Sequence, residues 1–200
     1  HNVKRMLAYS TLAQVGFVLV GIGWGTPLAL TAAIVFAFNH SIAKSAMLML
    51  AGFIASRASI KSAAFDVVTG VGKPFPFAGV LFFIGGLGLA GIPPTNGFIS
   101  KMLLFKSGLE AEQIWTLLFI GLASTLTMIY TTRALMRIWW TPLTEGISTK
   151  TTGDRLYAPL LLIVMILALG IFADPLVALS RETARWLGNP EIYIRAVLGG

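Results

Sequence analysis

The chain has 200 residues, 56% of them hydrophobic and 12% charged, with a mean hydropathy of +0.82. A soluble domain averages about 25% charged residues, and the apolar runs are too long and too many for one globular core, so the composition excludes a soluble fold and indicates an integral membrane protein. The net charge of +7 raises nucleic acid as a partner, but no Lys/Arg cluster exceeds the Lys4-Arg5 pair, and basic loops flanking membrane helices account for the excess.

The apolar runs far exceed the ~10-residue strands of a membrane barrel, so the expected fold is all-α, a polytopic transmembrane helix bundle. There is no cysteine, hence no disulfide, thiol chemistry or cysteine-ligated metal. The chain opens at His1 without an initiator Met or a signal-peptide pattern. It reads as the C-terminal part of a longer protein, with residues 1–200 belonging to a single transmembrane domain.

The first predicted helix spans about residues 5–23. Tyr9, Ser10, Thr11 and Gln14 make its first half more polar than lipid contact requires. Ser10 and Gln14 share a face at i, i+4, and that face is expected to meet protein or water. Thr26 and Pro27 carry the N-cap and first-turn chemistry of a second helix, about 27–54. That helix is apolar apart from Asn39-His40-Ser41 and Lys44-Ser45. His40 lies near its midpoint, with Lys44 one turn later on the same face. A lysine so deep costs ~2.5–3.5 kcal/mol unless it faces a partner or water, while histidine is the side chain that ordinarily titrates near neutrality. Two readings are open: a proton-exchanging pair, or a structural pair joining two helices.

Residues 56–74 form a polar connection, in which 59–68 has the pattern of a short interfacial helix. The next element, about 75–108, is broken at 91–97 by Gly91, Pro93, Pro94, Asn96 and Gly97. A Pro-Pro pair removes two backbone donors, and in lipid such backbone is tolerated only where protein or a water-filled cavity surrounds it. Lys101 sits just inside the second half, where discontinuous helices commonly build transporter sites. A tight turn with Lys101 snorkelling to the surface is the plainer reading. Glu110 and Glu112 are expected to cap the following helix.

A fourth helix, about 114–140, ends in Arg133, Arg137, Trp139 and Trp140, an ordinary membrane-surface signature. A fifth spans about 156–174, followed by an amphipathic surface helix over 176–187. Five crossings, one of them discontinuous, place nine Lys/Arg on the side of the N-terminus and four on the other, leaving Lys44 and Lys101 within the membrane. The positive-inside rule then puts the first side in the cytoplasm and the C-terminus outside.

Read from the residues, the chain is a helical transporter or proton-conducting subunit. KRMLAYSTLAQVGF, FNHSIAKSAMLMLAG and LAGIPPTNGFISKMLLF, in that order, resemble the antiporter-like membrane subunits shared by respiratory complex I, membrane-bound hydrogenases and the multisubunit Mrp cation/proton antiporters. GLEAEQIW, IYTTRALMRIWW, GIFADPL and PEIYIRAVLG look most like the D-type branch of the Mrp group. The resemblance implies a proton relay through Lys44, His40, Lys101 and Lys4 beside the broken helix. The family usually has an Asp two residues before the first of its motif lysines, where this chain has Asn2. The implied activity is exchange of Na+ (or K+) for H+ across a bacterial plasma membrane, by one subunit of a hetero-oligomer. No cofactor, resident metal or nucleic-acid partner is expected. The alternatives are a proton-translocating subunit of NADH-quinone oxidoreductase (complex I) or a membrane-bound hydrogenase, and a non-transporting structural segment.

Overall fold

The computed structural model describes residues 2–189, 191, 194, 195 and 197. Among the described residues, eight helices succeed one another up to residue 187: α1 (Val3–Trp24), α2 (Pro27–Arg57), α3 (Phe65–Val68), α4 (Pro76–Ala90), α5 (Asn96–Glu110), α6 (Ile114–Trp139), α7 (Tyr157–Ile171) and α8 (Asp174–Leu187). The fold is all-helical, with two isolated β-bridges, Asn2 to Ala64 and Ala58 to Thr149. The terminal motif over 190–199 lies largely outside the described residues, as does the C-terminus whose side of the membrane the charge count addresses.

α2 is the central post. It packs against α1, α4, α5, α7 and α8, and is buried along most of its length. Its start is set locally: Thr26 Oγ1 accepts from Ala29 N at 3.1 Å and Pro27 occupies the first turn, as the sequence predicts. α1 begins the same way, with Asn2 Oδ1 accepting from the Lys4 and Arg5 amides.

By length and composition, α1, α2 and α6 can each cross a membrane, and a fourth span results if α7 and α8, bent by 77°, act as one. The five expected crossings count the broken element and the 156–174 helix as one each. α4, α5 and α7 have 15 residues apiece, about 22 Å of helix against a ~30 Å hydrocarbon core. None of the three reaches across it alone; the broken element has two such halves, and α7 is long enough only with α8, which leaves it at 77°.

Several local expectations change. The short helix of the 56–74 connection is only Phe65–Val68. Glu112 takes φ 55 in a turn, and α6 starts without a side-chain cap, so neither Glu110 nor Glu112 caps it. Trp140 is exposed, but Trp139 is buried: its indole N–H donates to Phe75 O at 3.0 Å, and its ring packs on Phe82 and fills the space left by Gly72 and Gly79. It is therefore a core anchor between α4 and α6, not part of a surface belt. The amphipathic α8 turns Leu176 and Val177 onto the apolar cluster of Phe17, Val35, Phe36 and Leu104, with Ser180 and Ala184 buried. The protein takes up part of its apolar surface, while Leu179, Trp186 and Leu187 stay exposed.

The two halves of the broken element meet at glycines. A Cβ on Gly97 would overlap the Gly88 carbonyl oxygen, a backbone atom that cannot swing aside. Gly97→Ala is expected to cost about 1–3 kcal/mol by overpacking. It should lower the thermal midpoint in mild detergent, whereas Gly16→Ala, with nothing within 4 Å of the added carbon, should not.

Candidate functional site

α4 ends at Gly91, which takes φ 81 and returns its N–H to Leu87 O at 2.8 Å. This left-handed cap suits glycine. The last carbonyls of a helix lack intrahelical donors, and here they lie inside the bundle. Lys101, on the first turns of α5 and 6% exposed, fills that need. Its Nζ donates to Ala90 O at 2.6 Å and to Leu89 O at 3.2 Å, and stands 5.7 Å from the Phe17 ring centroid. Carbonyl oxygens, the negative end of the α4 dipole and an aromatic face all favour a cation there. Lys101 does not snorkel; it folds back onto the break.

Lys44 is equally buried and held differently. Its Nζ donates to Leu7 O of α1 at 2.9 Å and to Ser10 Oγ. Ser10 and Gln14 are 7% and 2% exposed, so the polar face of α1 does meet protein. Ser41 and Ser45, the neighbours of His40 and Lys44 in sequence, are exposed and on another side of α2.

A small cavity, with about 10 Å³ open to the centre of a water molecule, is lined by Gln14, Asn39, His40, Ser100 and Lys101, with Gly88 and Gly97 on its wall. That is room for about one water. Two of its groups, His40 Nε2 and Gln14 Nε2, are buried without a hydrogen-bond partner. The imidazole stacks at 6.2 Å on Phe36, which leaves its nitrogens for polar neighbours. The fold thus brings His40 of α2 and Lys101 of α5 onto one small space, which Phe36, Ala43 and Leu89 also line. Lys44 stands one turn of α2 away. Pro93 and Pro94, joined by a cis peptide, are exposed; the cavity beside the break is lined by Gly88 and Gly97 and by neither proline. Lys4 is exposed at the N-terminal end of α1.

One pairing at the site was not legible in the motifs. Asn39 Nδ2 donates to Asn96 O at 3.1 Å and Ser100 Oγ at 2.9 Å, while Asn96 Nδ2 donates to Asn39 Oδ1 at 3.2 Å and Asn39 O at 3.3 Å. Both asparagines are buried. This lock ties the start of α5 to mid-α2 and so fixes Lys101 relative to His40. The available signal was Asn39 itself, an amide in the middle of an apolar helix. Among the described residues, no group of three or more His, Cys, Asp or Glu is placed to hold a metal ion.

Comparison with known proteins extends this picture. A family model described as NADH:quinone oxidoreductase/Mrp antiporter, TM, matches residues 1–127, a stretch that contains Lys4, His40, Lys44 and Lys101. F(420)H(2) dehydrogenase subunit N of Methanosarcina mazei is 33% identical over 192 residues, 92% of this chain and 39% of its own length. The D subunit of the Na(+)/H(+) antiporter of Bacillus subtilis is 30% identical over 200 residues, 98% of this chain and 40% of its own. A chain in the structure of the Mrp complex from Dietzia sp. superposes with a TM-score of 0.82 at 28% identity, covering 96% of this chain and 44% of that one. The chain spans about two-fifths of the length of the curated relatives it matches.

The asparagine lock is open to a double-mutant cycle. Asn39→Ala and Asn96→Ala should each cost about 1–3 kcal/mol by stranding the buried partner, seen as a lower thermal midpoint. The double variant should lose clearly less than the sum. Strict additivity would show that the two amides do not hold each other.

Proposed function

The chain belongs to the NADH:quinone oxidoreductase/Mrp antiporter family of transmembrane subunits, and from that premise we propose that it is the C-terminal part of an antiporter subunit exchanging Na+ (or K+) for H+. Lys44, His40, Lys101 and Lys4 are its proton-relay groups, and Gly91, Pro93, Pro94, Asn96 and Gly97 form the break that serves them. The subunit works in a bacterial plasma membrane beside other subunits of a hetero-oligomer. Its N-terminal side and the loops 56–74 and 133–155 face the cytoplasm, and its C-terminus faces outward, a reading supported by the excess of basic residues on the first side.

The observation that carries this reading is the shared space between His40 and Lys101 at the break. A buried ammonium bonded only to carbonyls and an imidazole with an unpartnered Nε2 stand on two helices around room for one water. A water there accepts a proton from Lys101 and offers one to His40. Loss of its proton frees the Lys101 amine from the pull of the Leu89 and Ala90 carbonyls, and reprotonation restores it. His40 connects this step to Lys44, one helical turn along α2. The Asn39–Asn96 lock keeps donor and acceptor in register, and Phe36 holds the ring by stacking.

A second reading is supported by the likeness to a subunit of an F(420)H(2) dehydrogenase at similar identity. In it the same residues move protons in a complex driven by electron transfer. Purification of the intact complex separates the two: flavin and iron–sulfur partners support the redox pump, and small hydrophobic partners without redox centres support the antiporter.

Lys101→Ala, made in the intact complex, should lower Na+-driven collapse of a pH gradient in vesicles by an order of magnitude or more, the scale of a lost proton-transfer group. Assembly should be judged from co-purification of the partner subunits. Unchanged transport at neutral and alkaline pH in an assembled complex would remove Lys101 from the relay.

A further inference from the structure

Lys4 has no acid on its own helix. The Asn2 side chain caps the Lys4 and Arg5 amides, and the first acidic residue of the chain is Asp66. An acid reaches Lys4 from a distant segment instead. Asp154 Oδ2 lies 3.8 Å, and Lys4 Nζ 4.0 Å, from the point that a Cβ on Gly52 would occupy. The two charges flank one glycine of α2, and any side chain at position 52 would stand against both.

Asp154 is delivered there by a clamped loop. The Asp154 amide donates to Ser56 Oγ at 2.9 Å, and Arg57 donates to Asp154 O at 3.0 Å and to Thr151 O. The Arg57 guanidinium is itself fixed over the Phe53 and Phe75 rings, 4.7 and 5.1 Å from their centroids. Arg57 thus binds main-chain oxygens and leaves the Asp154 carboxylate available. The ion pair closer than 4.0 Å among the described residues is Arg195–Glu191, so Lys4 and Asp154 are neighbours with space between them and not a closed bridge. Both side chains are exposed, so water reaches both charges.

The position lies along α1 and α2 from Lys44. Leu7, whose carbonyl accepts Lys44 Nζ, is one turn of α1 beyond Lys4. Gly52 is eight residues along α2 from Lys44, about 12 Å. We infer that Asp154 is the counter-charge of Lys4, and that the pair flanking Gly52 positions Lys4 as the first proton-exchanging group on the way to Lys44. The pairing stands on geometry alone; its role in exchange rests on the proposed function.

Two measurements on the assembled complex test it. A carbodiimide activates a carboxylate so that a neighbouring amine forms an amide in its place. Treatment of membranes should link the peptide of Lys4 to that of Asp154, and Asp154→Asn should abolish the link. Absence of the link in the unaltered protein overturns the pairing. In transport, Asp154→Asn and Lys4→Gln should each lower Na+-driven proton exchange about two- to fivefold, the scale of a solvent-touching charge pair. Asp154→Glu should retain exchange, and Lys4→Asp combined with Asp154→Lys should recover most of either single loss. A swapped protein that assembles but transports no better than the worse single variant overturns the positioning role. If the link forms while Lys101→Ala leaves transport intact, the pairing is upheld and the transport reading is what fails.

Discussion

A helix interrupted inside the bundle leaves its last carbonyl oxygens without intrahelical donors, and the site depends on how they are satisfied. α4 ends at Gly91, and its terminal carbonyls at Leu89 and Ala90 receive the ammonium of Lys101 from the first turns of α5. Each side needs the other. A buried lysine costs ~2.5–3.5 kcal/mol or more, and charge-assisted hydrogen bonds return about 1.5–3 kcal/mol each. The dipole of α4 adds up to ~2 kcal/mol in a buried setting. Together these terms offset the cost of burying the cation.

The same logic is repeated one layer away with different parts. Lys44 is satisfied by the Leu7 carbonyl and Ser10 hydroxyl of α1, so the two buried lysines join α2 to α1 and α5 to α4. α2 touches both sites, and the Asn39–Asn96 pair fixes the distance between them. Close packing at Gly88 and Gly97 brings the half-helices together beside a space lined by His40 and Lys101. A rigid scaffold around a small polar cavity is what a proton site requires, since proton transfer depends on heavy-atom distances within hydrogen-bond reach.

Local chemistry was readable in the sequence, and long-range pairing was not. The Thr26-Pro27 helix start, the break at 91–97 and the protein-facing side of Ser10 and Gln14 follow from spacing and composition, because one segment decides each. The partners of both lysines are main-chain carbonyls, which carry no side-chain signature. Trp139 has the composition of a surface belt, yet Gly72 and Gly79, far earlier in the chain, open a slot that buries it. The amphipathic face of α8 suits lipid and protein equally, and only the position of Phe17, Val35 and Phe36 brings Leu176 and Val177 onto protein. Asn39 was visible as an amide in an apolar helix, but its partner Asn96 was legible only as part of the break.

Water at Lys101 is the most direct test of the central claim. The complex, with lysine side chains labelled with ¹⁵N, would be transferred in bilayers to D2O, and the loss of protons at the Lys101 Nζ followed by solid-state NMR, with assignment by Lys101→Met. The account predicts that this ammonium exchanges while the backbone amides of α4 stay protected, because the cavity shared with His40 admits water to the site. An ammonium that keeps its protons as long as the surrounding helix amides would mark Lys101 as a dry structural cation and contradict the relay.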